Sequence, residues 1–226
     1  MLNCLPDPTR RRLLLGAVPL LLAGCTPDST LGMLHDSFSA TVGGSDAYAR
    51  TRQQVDDLAF AQLGVRIGRG GRGIMVLNEV RGDDLYWISA NRILLVTRKG
   101  RIVRSVGLPS DLLGTRLFGQ DLLDAYDYER PQIDGLETSR SIDTATAHGE
   151  TVRARFRVEG SETISILDRQ FETLRVREEA RYGADRWKAT NLHWLSKRSA
   201  LIWQSKQFVT DGSPVIEIQV LKRPPA

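Results

Sequence analysis

Apolar residues run almost without interruption over positions 13–22, broken only by Gly16 and Pro19. A helix rising about 1.5 Å per residue needs about twenty such residues to cross a bilayer core, so this run is too short to span one. Residues 26–44 then show no apolar period and are rich in Ser, Thr, Gly, Pro and Asp, the composition of a tether. Tyr48, Thr51, Val55 and Leu58 recur at spacings of three and four. That spacing predicts a short helix, with Ser45 or Asp46 as its cap.

From Leu63 the period falls to two, which predicts strands over 63–67, 74–80, 85–89, 93–98 and 101–106, with turns at 81–84 and at Lys99 and Gly100. A second strand-rich half begins at Thr151. There Val152, Ala154, Phe156 and Val158 alternate with Arg153, Arg155, Arg157 and Glu159, the pattern of a sheet with one wet face. Further strands are expected over 163–167, 173–182, 189–195, 201–209 and 215–221, and the turns at 183–185 and 211–214 suit hairpins. Between the halves, 108–150 reads as loop with one short helix near 118–126. Connections this short favour antiparallel neighbours. The predicted fold is an all-β antiparallel meander, curled toward a half-barrel or sandwich, with one short N-terminal helix. The expected organisation is a signal segment over 1–24, a tether over 25–44 and a single β-rich domain over 45–226.

The N-terminal segment carries its own chemistry. Arg10, Arg11 and Arg12 precede the apolar run, and Ala23 and Gly24 follow it, as in an export signal. Leu22, Ala23, Gly24 and Cys25 resemble the bacterial lipobox, which implies cleavage between Gly24 and Cys25 and a diacylglyceryl group on the Cys25 thiol. Two or three acyl chains, at about 0.8 kcal/mol per buried methylene, would make that attachment permanent. Thr9, Arg10, Arg11, Leu13 and Leu14 also resemble a twin-arginine signal, so the export route stays open between that and the general one. Thr26 after the cysteine, in place of an aspartate, points to the periplasmic face of the outer membrane rather than the inner membrane. Cys4 falls in the discarded segment and Cys25 is the lipid site, so the mature chain has no disulfide.

Charge adds little. The chain carries 31 Lys and Arg against 27 Asp and Glu, a formal +4. Part of that excess lies in the signal segment, so no nucleic-acid partner is expected.

Three groups of residues carry a family resemblance. They are Tyr48, Ala49 and Arg50; the run Leu63, Gly64, Val65, Arg66, Ile67 and Gly68; and Leu85, Tyr86, Trp87, Ile88, Ser89 and Ala90. The likeness continues from Leu95 to Arg104, at Gly107 and Leu108, and again at Trp203, Gln204, Ser205, Lys206, Gln207, Val220, Leu221 and Lys222. Taken in order, these residues resemble the YjbF/GfcB-type lipoproteins of group 4 capsule and exopolysaccharide export. The stretch 114–150 contributes nothing to the likeness. The resemblance implies a lipid-anchored envelope protein of polysaccharide assembly or export, with export proteins as partners, no cofactor and no catalytic residues to carry over.

The motifs fit no enzyme. Gly68, Gly70 and Gly73 satisfy the glycine pattern of a dinucleotide loop, but a strand rather than a helix is expected after Gly73, which favours a hairpin loop. His35, His148 and His193 are scattered and lack metal-ligand spacing. The adjacent pairs Asp83, Asp84 and Glu178, Glu179 point to opposite faces of a strand or turn and read as solvated charges.

Two features suit a ligand. Arg153, Arg155 and Arg157 share one strand face and Arg175 and Arg177 another, a candidate basic stripe for an acidic polysaccharide or a lipid headgroup. Against it, Glu159, Glu162, Glu172 and Glu179 are placed to neutralise the stripe in cross-strand pairs. Trp87, Trp187, Trp194 and Trp203 are candidates for stacking on sugar rings or, more commonly, for burial. A carbohydrate-binding or glycan-processing module and an envelope-assembly lipoprotein working through protein contacts remain open beside the export reading.

Overall fold

The computed structural model describes residues 47–129, 132–183 and 186–224. The expected signal segment, tether, cleavage site and Cys25 lie outside the described residues, as do Ser45 and Asp46.

Among the described residues, alternation of apolar and polar positions produces twelve strands, with two short helices beside them. The first half holds helix α1 (Arg52–Asp57) and strands β1 (Gln62–Ile67), β2 (Gly73–Arg81), β3 (Asp84–Ile88), β4 (Leu94–Arg98) and β5 (Arg101–Val106). The second holds β6 (Leu112–Phe118), helix α2 (Leu122–Ala125), β7 (Glu137–Thr144), β8 (Glu150–Ile166), β9 (Arg169–Tyr182), β10 (Trp187–Ser196), β11 (Ile202–Gln207) and β12 (Ile216–Lys222). All twelve join one antiparallel sheet in the order β5-β4-β3-β2-β1-β12-β11-β10-β9-β8-β7-β6. The chain thus winds round a nearly closed barrel, and β1 pairs with β12 from Leu63 opposite Val220 to Ile67 opposite Ile216.

The break in the barrel falls between β5 and β6, successive strands that share no ladder. Side chains close it instead. At one end Ser105 Oγ accepts from Leu112 N at 2.9 Å, while Asp111 accepts from Ser105 Oγ, Gly107 N and Leu108 N. At the other end Arg101 pairs with Asp121 and Lys99 with Asp124.

Inward positions of every sheet region meet in one core. It includes Leu63, Met75, Trp87, Leu95, Leu112, Phe156, Val176, Tyr182, Leu195 and Ile218. The barrel is pinched rather than round. The turn at Lys99 and Gly100, both at positive φ, is the tight hairpin form, and it presses onto β11 from across the interior. A Cβ on Gly100 would sit 2.8 Å from Ile202 Cδ1, and Gln207 Nε2 donates to Gly100 O at 2.9 Å.

The β8–β9 hairpin is longer than its neighbours and bulges at Val158 and Gly160. Its far end curls over the outside of the sheet. Ile164 and Ile166 there join Val55, Ile74, Trp194 and Leu221 in a second buried cluster. Arg52 fastens this arm, donating to Ile166 O at 2.9 Å and to Leu221 O at 2.6 Å.

Three expectations need correction. Residues 108–150 are not a loop with a helix alone: β6 and β7 lie there, on either side of α2. Their alternation is hidden because Thr138 and Arg140 share the face of β7 that carries buried Ile142. The helix cap is Thr51, whose Oγ1 accepts from Gln54 N at 3.3 Å while Gln54 Oε1 accepts from Thr51 N at 2.8 Å. Tyr48 therefore precedes the helix and lies against Gly64, where a Cβ would fall inside its phenol ring. The alternating run from Val152 to Glu159 and the strand expected over 163–167 belong to one strand, β8.

Candidate functional site

Glu178 was expected to be a solvated charge, but its side chain is 0% exposed. The alternation of β9 accounts for this: Val176, Glu178, Ala180 and Tyr182 all occupy inward positions. Four neighbours hold its carboxylate. Arg101 Nη1 donates at 3.1 and 3.2 Å, Arg140 Nη1 at 2.8 Å, Asn191 Nδ2 at 3.1 Å and His193 Nε2 at 3.0 Å. A carboxylate only accepts, so His193 carries its proton on Nε2, and its buried Nδ1 has no partner. Arg101 also grips Asp121, the residue that opens α2, through two parallel bonds.

Burial opposes ionisation of Glu178 most strongly. The charges of Arg101 and Arg140 and the bond from His193 together overcome it, and hold the carboxyl well below its ordinary range. Asp121 is lowered in the same way: burial works against its charge and Arg101 outweighs it. Two arginines and two carboxylates thus balance inside the barrel. They tie β5, β7, β9, β10 and α2 together, and with every carboxylate engaged this is a structural lock rather than an acid–base pair.

The arginines singled out in the sequence lie on one outer surface but divide into two sets. Arg157 stands opposite Arg177 in the β8–β9 ladder, so both strands present these side chains on the same face. Arg175 and Arg177 are neutralised there. Glu159 pairs with both of them, and Glu162 takes Arg175 at 3.1 Å. Burial acts first against the charge of Glu159, and the bonds from Arg175 and Arg177 still lower its pKa. Glu172 pairs instead with Arg198. Arg153, Arg155 and Arg157 are exposed, and among the described residues they make no ion pair or side-chain hydrogen bond. They line an open trough of about 720 Å³ with Phe118, Leu136 and Arg181. A second hollow, of about 700 Å³, shares Arg153 and Arg181 with it.

The tryptophans separate similarly. Trp87 is interior and donates to Thr97 Oγ1 at 2.8 Å, while Trp194 is buried on the outer face and donates to Glu162. Neither ring is open to a sugar. Trp187 packs at 4.1 Å against Tyr182, and Trp203 lies between Phe171 and the Arg223 guanidinium. Gly68 and Gly70 lie in the loop joining β1 to β2 and Gly73 opens β2, so a strand follows as expected. His148 is exposed beside Asp143, and His35 lies outside the described residues. Among the described residues no group of three or more His, Cys, Asp or Glu is placed to hold a metal ion.

The family model for the group 4 capsule polysaccharide lipoproteins GfcB and YjbF matches residues 35–221. The chain belongs to the YjbF/GfcB family. It is 28% identical over 219 residues to the uncharacterized lipoprotein GfcB of Escherichia coli K12, covering 95% of this chain and all of that one. The uncharacterized lipoprotein YjbF of the same organism is 23% identical over 202 residues, covering 87% and 91%. The crystal structure of the hypothetical lipoprotein YmcC from E. coli K12 superposes with a TM-score of 0.66 at 22% identity, covering 89% of this chain and all of that one. That likeness shows the fold.

Several residues that carried the resemblance to the YjbF/GfcB family meet on the outer face of β1 and β12. Tyr48 donates to Gln219 Oε1 at 2.7 Å, and Gln219 Nε2 donates to Gln204 at 2.6 Å. Glu217 collects Arg66 at 2.9 Å and Lys206 at 3.1 Å. This outer cluster clamps the segment before α1 onto the barrel.

Proposed function

We propose that the protein is a non-catalytic, lipid-anchored accessory of capsule or exopolysaccharide assembly and export, held at the periplasmic face of the outer membrane by acylated Cys25. The observation that carries this reading is the family assignment over 35–221. The export signal, the lipobox and Thr26 support the anchor and its membrane. The engagement of Glu178, Asp121 and His193 in a closed interior lock supports a binding role over glycan cleavage, which requires two carboxyl groups facing a shared cleft. Polysaccharide-export proteins are the expected partners.

The test uses a strain lacking the gene, complemented with wild type or Cys25→Ala. Wild type should take up a fatty-acid label, fractionate with the outer membrane and restore surface polymer of unchanged sugar composition. Cys25→Ala should take up no label and restore polymer poorly. Normal surface polymer in the deletion strain, or polymer of altered linkage, would defeat the reading.

A further inference from the structure

The ladder registers place residues from five strands in one row on the outer surface. Phe118 of β6 stands opposite Ser139 of β7, Ser139 opposite Arg153 of β8, Arg153 opposite Arg181 of β9, and Arg181 opposite Lys188 of β10. Adjacent strands lie about 4.8 Å apart, so the row spans about 19 Å across the strands and meets β8 at Arg153. Phe118 is 51% exposed at one end, an apolar face beside a line of cations. Two hollows share Arg153 and Arg181 of this row, and the first, the open trough that also holds Phe118, continues past Arg155 and Arg157.

We infer that this trough binds an extended acidic glycan, its chain running along β8 beside Phe118 so that its carboxylates meet Arg153 and Arg157, about 13 Å apart at about 3.3 Å per residue. The inference rests on the capsule reading and gives it a site and a ligand chemistry. Guanidinium groups without a partner can accept a carboxylate through two parallel bonds without first giving up an internal pair. Arg175 and Arg177 lack that freedom, because Glu159 holds them.

The trough also contains its own discrimination. Arg155 stands between Glu137 and Glu179 in the two ladders. These carboxylates disfavour an anionic group at Arg155 and direct acidic groups to Arg153 and Arg157, either side of it.

The place of the trough in the fold favours a glycan over a lipid headgroup. Arg52 ties the start of the described chain to the far end of the β8–β9 hairpin, at Ile166 and Leu167. Arg153 lies about 40 Å back along β8, at about 3.3 Å per residue. The trough is therefore remote from the point where the described chain begins, and it is concave where a bilayer is flat.

The experiment uses the full lipidated protein in phosphatidylcholine nanodiscs, with a fluorescent oligogalacturonate as probe and neutral dextran as control. Anisotropy should report oligogalacturonate binding that weakens steeply between low and physiological salt, and none to dextran. R153Q/R157Q should weaken binding roughly tenfold. R175Q/R177Q should leave it within about twofold, and E137Q/E179Q should strengthen it. Thermal melts of each variant should match wild type closely enough to exclude unfolding. Absence of binding, salt-insensitive binding, or equal losses in the two arginine doubles would overturn the inference. So would loss of oligogalacturonate binding when phosphatidylglycerol is added to the discs, since a membrane would then occupy the trough. If R153Q/R157Q lost binding but restored surface polymer fully in the deletion strain, the capsule reading would stand and this site would be overturned as its means.

Discussion

Replacing Glu178 by glutamine removes one negative charge from inside the barrel and leaves Arg140 buried without a carboxylate. Arg101 keeps Asp121, so the damage concentrates on Arg140 and on the bond from His193. Removing one partner of a buried pair typically costs about 3–5 kcal/mol, because the remaining charge stays desolvated. Glutamine retains one acceptor, which places the expected loss near 3 kcal/mol. For a domain of this size that corresponds to a fall in Tm of roughly 6–12 °C. Circular dichroism melts of wild type and E178Q measure it directly, and E179Q, one position along on the exposed face, should change stability by under about 0.5 kcal/mol. Arg140→Gln combined with E178Q should cost less than the two single changes added together, since neither then strands the other. The dependence on pH has a definite sign. A carboxyl lowered by folding contributes all its stabilisation above its unfolded pKa of about 4.3, and loses it as pH falls from there toward the folded value. The gap between wild type and E178Q should accordingly be constant from pH 5 to 8 and shrink below about pH 4. A variant melting within roughly 2 °C of wild type at neutral pH would refute the view that these charges lock the interior.

Other substitutions test other contacts. Gly64→Ala should expel Tyr48 from the outer face and destabilise the protein by about 1–3 kcal/mol, with much less added effect once Tyr48 is already alanine. Gly100→Ala meets both a positive φ and Ile202, and should cost more than about 1 kcal/mol in denaturant titrations. R175Q/R177Q should lower stability by no more than about 1 kcal/mol, because their pairs with Glu159 are partly exposed and screened, and high salt should erase the difference.

The strands were legible where an apolar side chain marked each inward position. β8 reads plainly over Val152, Ala154 and Phe156, which alternate with exposed Arg153, Arg155 and Arg157. β7 was not legible, because Thr138 and Arg140 stand where apolar residues would have revealed the period. Glu178 was hidden for a related reason. Beside Glu179 it resembles a surface charge, although strict alternation through Val176, Ala180 and Tyr182 places it inside. Arg101 and Asp121 lie on different elements, and only the closure of the sheet brings them to Glu178. The arginine face was readable from the spacing of Arg153, Arg155 and Arg157. Which arginines are neutralised was not, since that depends on the bulge at Val158 and Gly160 setting the height of Glu159 against Arg175 and Arg177. Phe118 gave no signal as part of that surface, because its strand was itself unrecognised.

The order of the strands also bears on how the molecule assembles. All but one of its ladders join neighbours in sequence, so hairpins such as β8–β9 can zip from their own turns, with little chain entropy lost at each step. The exception is β1 against β12, whose partners, such as Leu63 and Val220, lie at opposite ends of the described chain. Closing a loop of that length costs about 4–5 kcal/mol in chain entropy before the first bond rewards it. Two growing ribbons should therefore form first and meet late, with β1 and β12 as their last shared rung. Weakening the β8–β9 hairpin should slow folding, whereas weakening the packing of Leu63 or Ile218 should mainly hasten unfolding.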